Sequence, residues 1–214
     1  MLKLGVLISG RGSNLQSLIE ACAQPVFPAE IAVVLSNRPD AVGLRRAAEV
    51  GLPHFVVDHK AFTSREAFER VLDARLRAHG VELVCNAGFM RILTEWFVRA
   101  WWNQSINIHP SLLPAFPGLH VHEQVLASGA RVSGCTVHYV RTEMDAGPIL
   151  GQAVVPVLPA DTPDALAARV LKAEHRLYPN VVKLIAGGHV AIEGERITLT
   201  GPSDGDAQLF SPGL

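Results

Sequence analysis

The stretch Leu4-Gly5-Val6-Leu7-Ile8-Ser9-Gly10-Arg11-Gly12-Ser13-Asn14, continuing into Leu15 to Ala23, decides the fold. A short apolar run, a turn holding two glycines and then apolar residues at helical spacing describe a buried strand feeding a crossover helix. The alternation recurs outward from there. Ile31 to Ser36, His54 to Val57 and Leu83 to Ala87 read as strands, while Val42 to Val50 and Ser64 to His79 read as helices followed by the capping glycines Gly51 and Gly80. This pattern predicts an α/β class with a doubly wound, mostly parallel sheet.

The second half is read as a short helix around Thr94 to Trp101 packed by Trp96, Trp101 and Trp102, then a strand from Ser105 to Ile108. A loop forced by Pro110, Pro114 and Pro117 follows. Gly134 to Arg141 and Ile149 to Val157 read as strands of an antiparallel portion, separated by the turn Asp145-Ala146-Gly147-Pro148. Asp161-Thr162-Pro163 offers a cap and an early proline for a long helix running to about Ile185, with a kink expected at Pro179. Val190 to Ile192 and Ile197 to Leu199 flank Glu193-Gly194-Glu195 as a hairpin. A single domain over residues 1–200 is expected, with a phosphate-binding half at 1–104 and a catalytic half at 105–200. The Gly-, Pro- and Ser-rich stretch at 201–214 is expected to be a flexible tail.

Hydrophobic residues form 49% of the 214 residues and charged residues 18%, enough apolar material for a packed core. A formal net charge of -1 argues against general attraction to nucleic acid or anionic lipid. The first apolar run is too short to span a bilayer and has no cleavage-site pattern, so a cytoplasmic protein without a membrane partner is expected. Cys22, Cys85 and Cys135 share no metal-ligand spacing and are read as reduced thiols in or near the core.

Three segments carry candidate chemistry. Gly12, Ser13 and Asn14 follow the first strand at the carboxyl edge of the sheet, where backbone N–H groups, a hydroxyl and an amide can cradle a phosphate. The segment lacks the last glycine of a dinucleotide loop and the Gly-Lys of a P-loop, and it also fits an ordinary turn. Asn107 and His109, two apart in a strand, share one face and can both donate to an oxygen gaining negative charge, or they tie down the next loop. Asp145, in a turn between strands, can reach His109 and orient a water, or it serves as a turn aspartate. Gly88 to Leu93 is too apolar for an ordinary exposed loop and reads as a pocket wall or as core packing. His120, His122 and Glu123, taken as loop residues, do not complete a metal site, and no metal is expected.

Together Gly12-Ser13-Asn14, Ala87-Gly88-Phe89-Met90-Arg91-Ile92-Leu93, Asn107-Ile108-His109-Pro110-Ser111-Leu112-Leu113-Pro114 and Asp145-Ala146-Gly147-Pro148-Ile149 closely resemble the phosphoribosylglycinamide formyltransferase family over about residues 1 to 190. The resemblance implies a Rossmann-like formyltransferase fold. It also implies transfer of formyl from 10-formyltetrahydrofolate, as co-substrate, to the amine of glycinamide ribonucleotide in purine biosynthesis. On the matching motifs, Asn107, His109 and Asp145 would be catalytic. Gly12, Ser13 and Asn14 would hold the phosphate and Glu174 the ribose. Arg65, Met90, Arg91, Ile92, Leu93, Arg141, Thr142, Glu143 and Met144 would line the folate side. Asn86 departs from the family by placing a polar residue in an apolar strand, which puts the packing behind the folate wall in question.

Methionyl-tRNA formyltransferase resembles the chain through the same Asn-x-His and Ser-Leu-Leu-Pro elements, but 214 residues leave no room for its usual tRNA-binding domain. Formyltetrahydrofolate deformylase shares the core and usually carries an N-terminal regulatory domain that is not expected here. A non-catalytic folate or nucleotide binder would have no need of Asn107, His109 and Asp145 together. The partners expected are two small molecules acting on a monomer or homodimer.

Overall fold

The computed structural model describes residues 1–200 and Ser211. Seven strands form one sheet: β1 (Leu2–Ile8), β2 (Ala29–Ser36), β3 (His54–Val56), β4 (Leu83–Asn86), β5 (Ser105–His109), β6 (Val132–Tyr139) and β7 (Ile149–Pro156). Their spatial order is β3-β2-β1-β4-β5-β6-β7, parallel from β3 to β5 and antiparallel from β5 to β7. The chain leaves β1 toward β2 and β3, then returns to place β4 on the other side of β1. This reversal makes the carboxyl ends of β1 and β4 the natural seat of a ligand.

Both faces of the sheet are covered, as continuous apolar strands require. On β1 the side chains alternate: Leu4, Val6 and Ile8 join one core with helices α1 (Ser13–Cys22), α2 (Gly43–Glu49) and α6 (Pro163–Ala186), while Leu7 joins the opposite core. That second core is built by α3 (Arg65–Ala78) and α4 (Glu95–Ala100) through Phe68, Leu72, Leu76 and Phe97. Trp101 belongs to it, whereas Trp102 is exposed and lies beneath the Arg141 guanidinium at 3.9 Å. Cys85 and Cys135 are buried free thiols, and burial pushes Cys135 up to about 12.

The element order needs one correction. Residues 110–133 are not all loop, because α5 (Val121–Ser128) lies within them and carries His122 and Glu123, with His120 as its cap residue. Its Val125 packs with Cys135, Val155, Leu166 and Val170. The prolines upstream concealed it, and His120 makes no side-chain cap hydrogen bond that would mark its start. The long helix α6 runs through Pro179 to Ala186, close to the expected end, and its start is capped as expected, Thr162 Oγ1 accepting from Ala165 N at 3.2 Å.

Asn86 is accommodated by hydrogen bonds. Its Nδ2 donates to Ser105 Oγ at 3.1 Å and Ile106 O at 3.0 Å, and Tyr178 on α6 donates its hydroxyl to Asn86 O at 3.0 Å. The hairpin β8 (Val190–Glu193) and β9 (Arg196–Leu199) forms a separate two-stranded sheet. The expectation for residues 201–214 lies outside the described residues, apart from Ser211, whose Oγ donates to Arg131 O at 3.0 Å. Among the described residues no helix is long and apolar enough to cross a membrane.

Tyr178→Phe removes the hydroxyl that joins α6 to β4 at Asn86 O in a buried setting. We expect a loss of about 1–2 kcal/mol in urea unfolding with an unchanged fold by circular dichroism.

Candidate functional site

The first site residues sit where the strand order reverses. A cleft of about 270 Å³ is lined by Ser9 to Asn14, Arg38, Ala87, Gly88 and Met90. Gly12 adopts φ 67°, and a Cβ there would stand 2.7 Å from Gly43 Cα, so only glycine lets the loop rest on the start of α2. Gly43 N also donates to Gly10 O at 3.0 Å. Arg46 supports the loop from behind, donating to Arg11 O at 3.0 Å. Arg11 and Arg38 also line the cleft, with the Arg38 guanidinium held by the Asp40 carboxylate at 2.7 Å. Ser13 opens α1, so its N–H is among those without a partner inside the helix.

Glu174 on α6 stands behind Asn14 of this cleft, accepting from its Nδ2 at 2.7 Å. Burial raises its carboxyl above the ordinary value, and the Asn14 hydrogen bond opposes that rise. The residue is distant along the chain, and α6 crossing α1 is what delivers it.

Asn107 and His109 lie on β5 one strand farther along the same carboxyl edge, with Asn107 partly exposed and His109 buried. Asp145 approaches from the β6–β7 turn with φ 56°, a left-handed conformation rare for a residue with a side chain. Its Oδ2 stands 3.5 Å from His109 Nδ1 and accepts from Gly118 N at 2.9 Å. His109 Nε2 stands 3.0 Å from Phe116 O, which can only accept, so that nitrogen is the donor. Both ring nitrogens thus face oxygen acceptors. A substrate oxygen approaching Nε2 has to displace the Phe116 carbonyl.

The sequence reading missed His138. It stands opposite Asn107 in the antiparallel β5–β6 register, and Asn107 Nδ2 lies 3.3 Å from its Nε2. Its Nδ1 faces Tyr139 O at 2.9 Å and therefore carries the proton, leaving Nε2 to accept from the Asn107 amide. Burial, the largest cause, lowers the His138 pKa below the ordinary histidine value; the Tyr139 hydrogen bond and the Asp145 charge oppose it. Only a polar residue within an apolar strand hinted at this role, because cross-strand pairing is not written in local sequence.

The wall segment emerges beside the cleft, with Met90 and Ile92 exposed and Phe89 stacked on Phe68 at 6.5 Å. Two more missed residues hold it. Ser9 Oγ accepts from Met90 N at 2.8 Å while donating to Asn37 Oδ1 at 2.6 Å. Glu69, buried on α3, accepts from Thr94 N at 2.8 Å and from the Thr94 hydroxyl. Arg65 opens α3 and is exposed, as are Thr142, Glu143 and Met144, while Arg91 and Leu93 are partly buried. Arg141 differs from these: each of its three guanidinium nitrogens already has a partner, in Glu195, Val140 O and Asn103. His120 Nδ1 and Glu123 Oε1 form an exposed pair at 3.6 Å.

The formyl transferase family model matches residues 2–182. Phosphoribosylglycinamide formyltransferase of Escherichia coli is 43% identical over 196 residues, 92% of either chain. The chain is also 48% identical over 190 residues to the trifunctional purine biosynthetic protein adenosine-3 of Gallus gallus, yet spans 19% of that protein's length, and 14% of its Drosophila melanogaster counterpart. The solved structure of glycinamide ribonucleotide transformylase 1 from Symbiobacterium toebii superposes with a TM-score of 0.92 at 48% identity, covering 94% of this chain and 95% of that one. Likeness in sequence and in three dimensions extends over nearly the whole of the described chain, and the chain belongs to the phosphoribosylglycinamide formyltransferases of the formyl transferase family.

Proposed function

We propose that this protein transfers the formyl group of 10-formyltetrahydrofolate to the amine of glycinamide ribonucleotide, giving formylglycinamide ribonucleotide and tetrahydrofolate in purine biosynthesis. The observation that carries the reading is the meeting of Asp145 with His109 at 3.5 Å, one strand away from an anion cleft. Two binding regions flank that meeting point, and an amide and an imidazole stand between them.

Gly12, Ser13 and Asn14 would hold the phosphate and Glu174 the ribose. The folate would lie against Met90 to Leu93, with Arg65 and the 142–144 segment around it. Holding the two together provides much of the rate, since effective molarity can reach about 10⁵ M. The neutral amine attacks the formyl carbon, and the carbonyl electron pair moves onto oxygen. Asn107 Nδ2 and His109 donate to that oxyanion. Asp145 orients His109 and a water that takes the proton from the attacking amine. As the bond from carbon to the folate nitrogen breaks, that nitrogen receives a proton and leaves as tetrahydrofolate.

Incubation with 10-formyltetrahydrofolate and glycinamide ribonucleotide should change the folate absorbance at a rate proportional to enzyme. Turnover with another amine and none with this ribonucleotide would sink the substrate assignment. His109→Ala and Asp145→Ala should each lower kcat by about 10²-fold or more with little change in ribonucleotide KM. Ser13→Ala should raise that KM alone; an unchanged value would remove the cradle.

His138 accepts from Asn107 only while its Nε2 is unprotonated, and burial places that titration below the ordinary 6.5. As pH falls through it, Nε2 becomes a donor facing the Asn107 donor, and kcat should drop on the acid side. His138→Gln, able to accept through its amide oxygen without titrating there, should lose that part of the acid limb. An identical pH–rate profile in the variant would remove His138 from the site.

A further inference from the structure

Arg141 follows β6, at the root of the turn that carries Asp145, and its guanidinium is fully engaged by protein groups. Its Nε donates to both carboxylate oxygens of Glu195 at 3.1 and 3.0 Å, Nη2 to Asn103 Oδ1 at 2.8 Å and Nη1 to Val140 O at 3.0 Å. Its central carbon lies 3.9 Å over the Trp102 ring. The side chain is 7% exposed although Glu195 is 59% exposed. A buried, stacked guanidinium holding a forked carboxylate is a far firmer attachment than an exposed surface pair.

Glu195 lies between β8 and β9, and Asn103 and Trp102 lie between α4 and β5. One side chain therefore joins the C-terminal hairpin and the entry to the catalytic strand to the Asp145 turn. The turn's other end is fixed by backbone: a Cβ on Gly147 would stand 1.7 Å from Tyr139 O and 3.2 Å from Arg141 Cγ. Asp145, in its left-handed conformation, is suspended between these two anchors, with Thr142 to Met144 exposed between Arg141 and it. Elsewhere the hairpin stands off from the turn across an open groove of about 420 Å³, lined by Ala146 to Ile149 on one side and Glu195 to Ile197 on the other.

We infer that the C-terminal hairpin is a positioning element for the formyl-transfer site, acting through Glu195 and Arg141 to hold the 141–147 turn so that Asp145 meets His109. Arg141 is thereby a strut. The inference rests on the role of Asp145 proposed above. It assigns a task in catalysis to a segment that touches neither substrate cleft.

The test compares the full-length protein with its Glu195→Ala and Arg141→Ala variants by amide hydrogen exchange and steady-state kinetics. Glu195 is exposed, so its removal leaves the cores intact, and thermal unfolding confirms that independently. Exchange of the amides of residues 141–147 should quicken in both variants, and kcat should fall between about three- and thirtyfold while the ribonucleotide KM stays within about twofold. The double variant should be no slower than the worse single one. Glu195→Gln, which keeps an oxygen acceptor, should recover part of the rate. Unchanged exchange in Glu195→Ala would overturn the strut, and quickened exchange with unchanged kcat would overturn its role in catalysis. Full activity in Asp145→Asn would instead bring down the reading of Asp145 while leaving the exchange result intact.

Discussion

The backbone seam where β1 lies beside β4 governs the rest of this molecule. Parallel strands must all end at the same edge, and a sheet wound in two directions has one place where neighbouring strands send their chains to opposite faces. At that place nothing covers the strand ends. Gly10, Gly12 and Gly88 emerge there, and the cleft is the gap left between the two departing segments. Ser9 closes the base of the gap by holding both Asn37 and the backbone of Met90. One hydroxyl thus sets the spacing between the cradle and the apolar wall.

The meeting of Asn107, His109, His138 and Asp145 depends on a different constraint. β5 continues the parallel edge, but β6 runs back against it, and antiparallel pairing places side chains directly across from one another. Asn107 meets His138 and His109 lies opposite Thr136 for that reason. The return strand also ends beside the strand that carries the imidazole, so the turn after it brings Asp145 within reach. A wholly parallel sheet would have sent the chain away across a helix at this point.

Polar groups are buried throughout this edge, and nearly every one has a named partner. Asn86 is bonded to Ser105 and Ile106, Glu174 to Asn14, Glu69 to Thr94, and His138 to both Asn107 and Tyr139. Satisfied in this way such groups fix orientation, since each alternative rotamer strands a donor or acceptor in a dry environment. The departure of Asn86 from an apolar strand is of this kind: Ser105 on the next strand supplies the partner its amide needs.

Residue order alone determined the element sequence and the class of sheet, because hydrophobic period and glycine caps are local properties read a few residues at a time. It also marked Gly12 to Asn14, Asn107, His109 and Asp145, since those residue types stand out at strand ends and turns. Helix α5 escaped because prolines before it and an uncapped start hid its period. The tertiary structure decided the rest: that His138 accepts from Asn107, that Glu69 and Ser9 brace the wall, and that the guanidinium of Arg141 bonds Glu195 of the hairpin and Asn103. Those facts depend on strand register and helix crossing, which bring together residues from 25 to 160 positions apart at contacts such as Glu69 with Thr94 and Asn14 with Glu174. No local pattern encodes a contact across such a separation; it exists only once the sheet has closed and its two faces are covered.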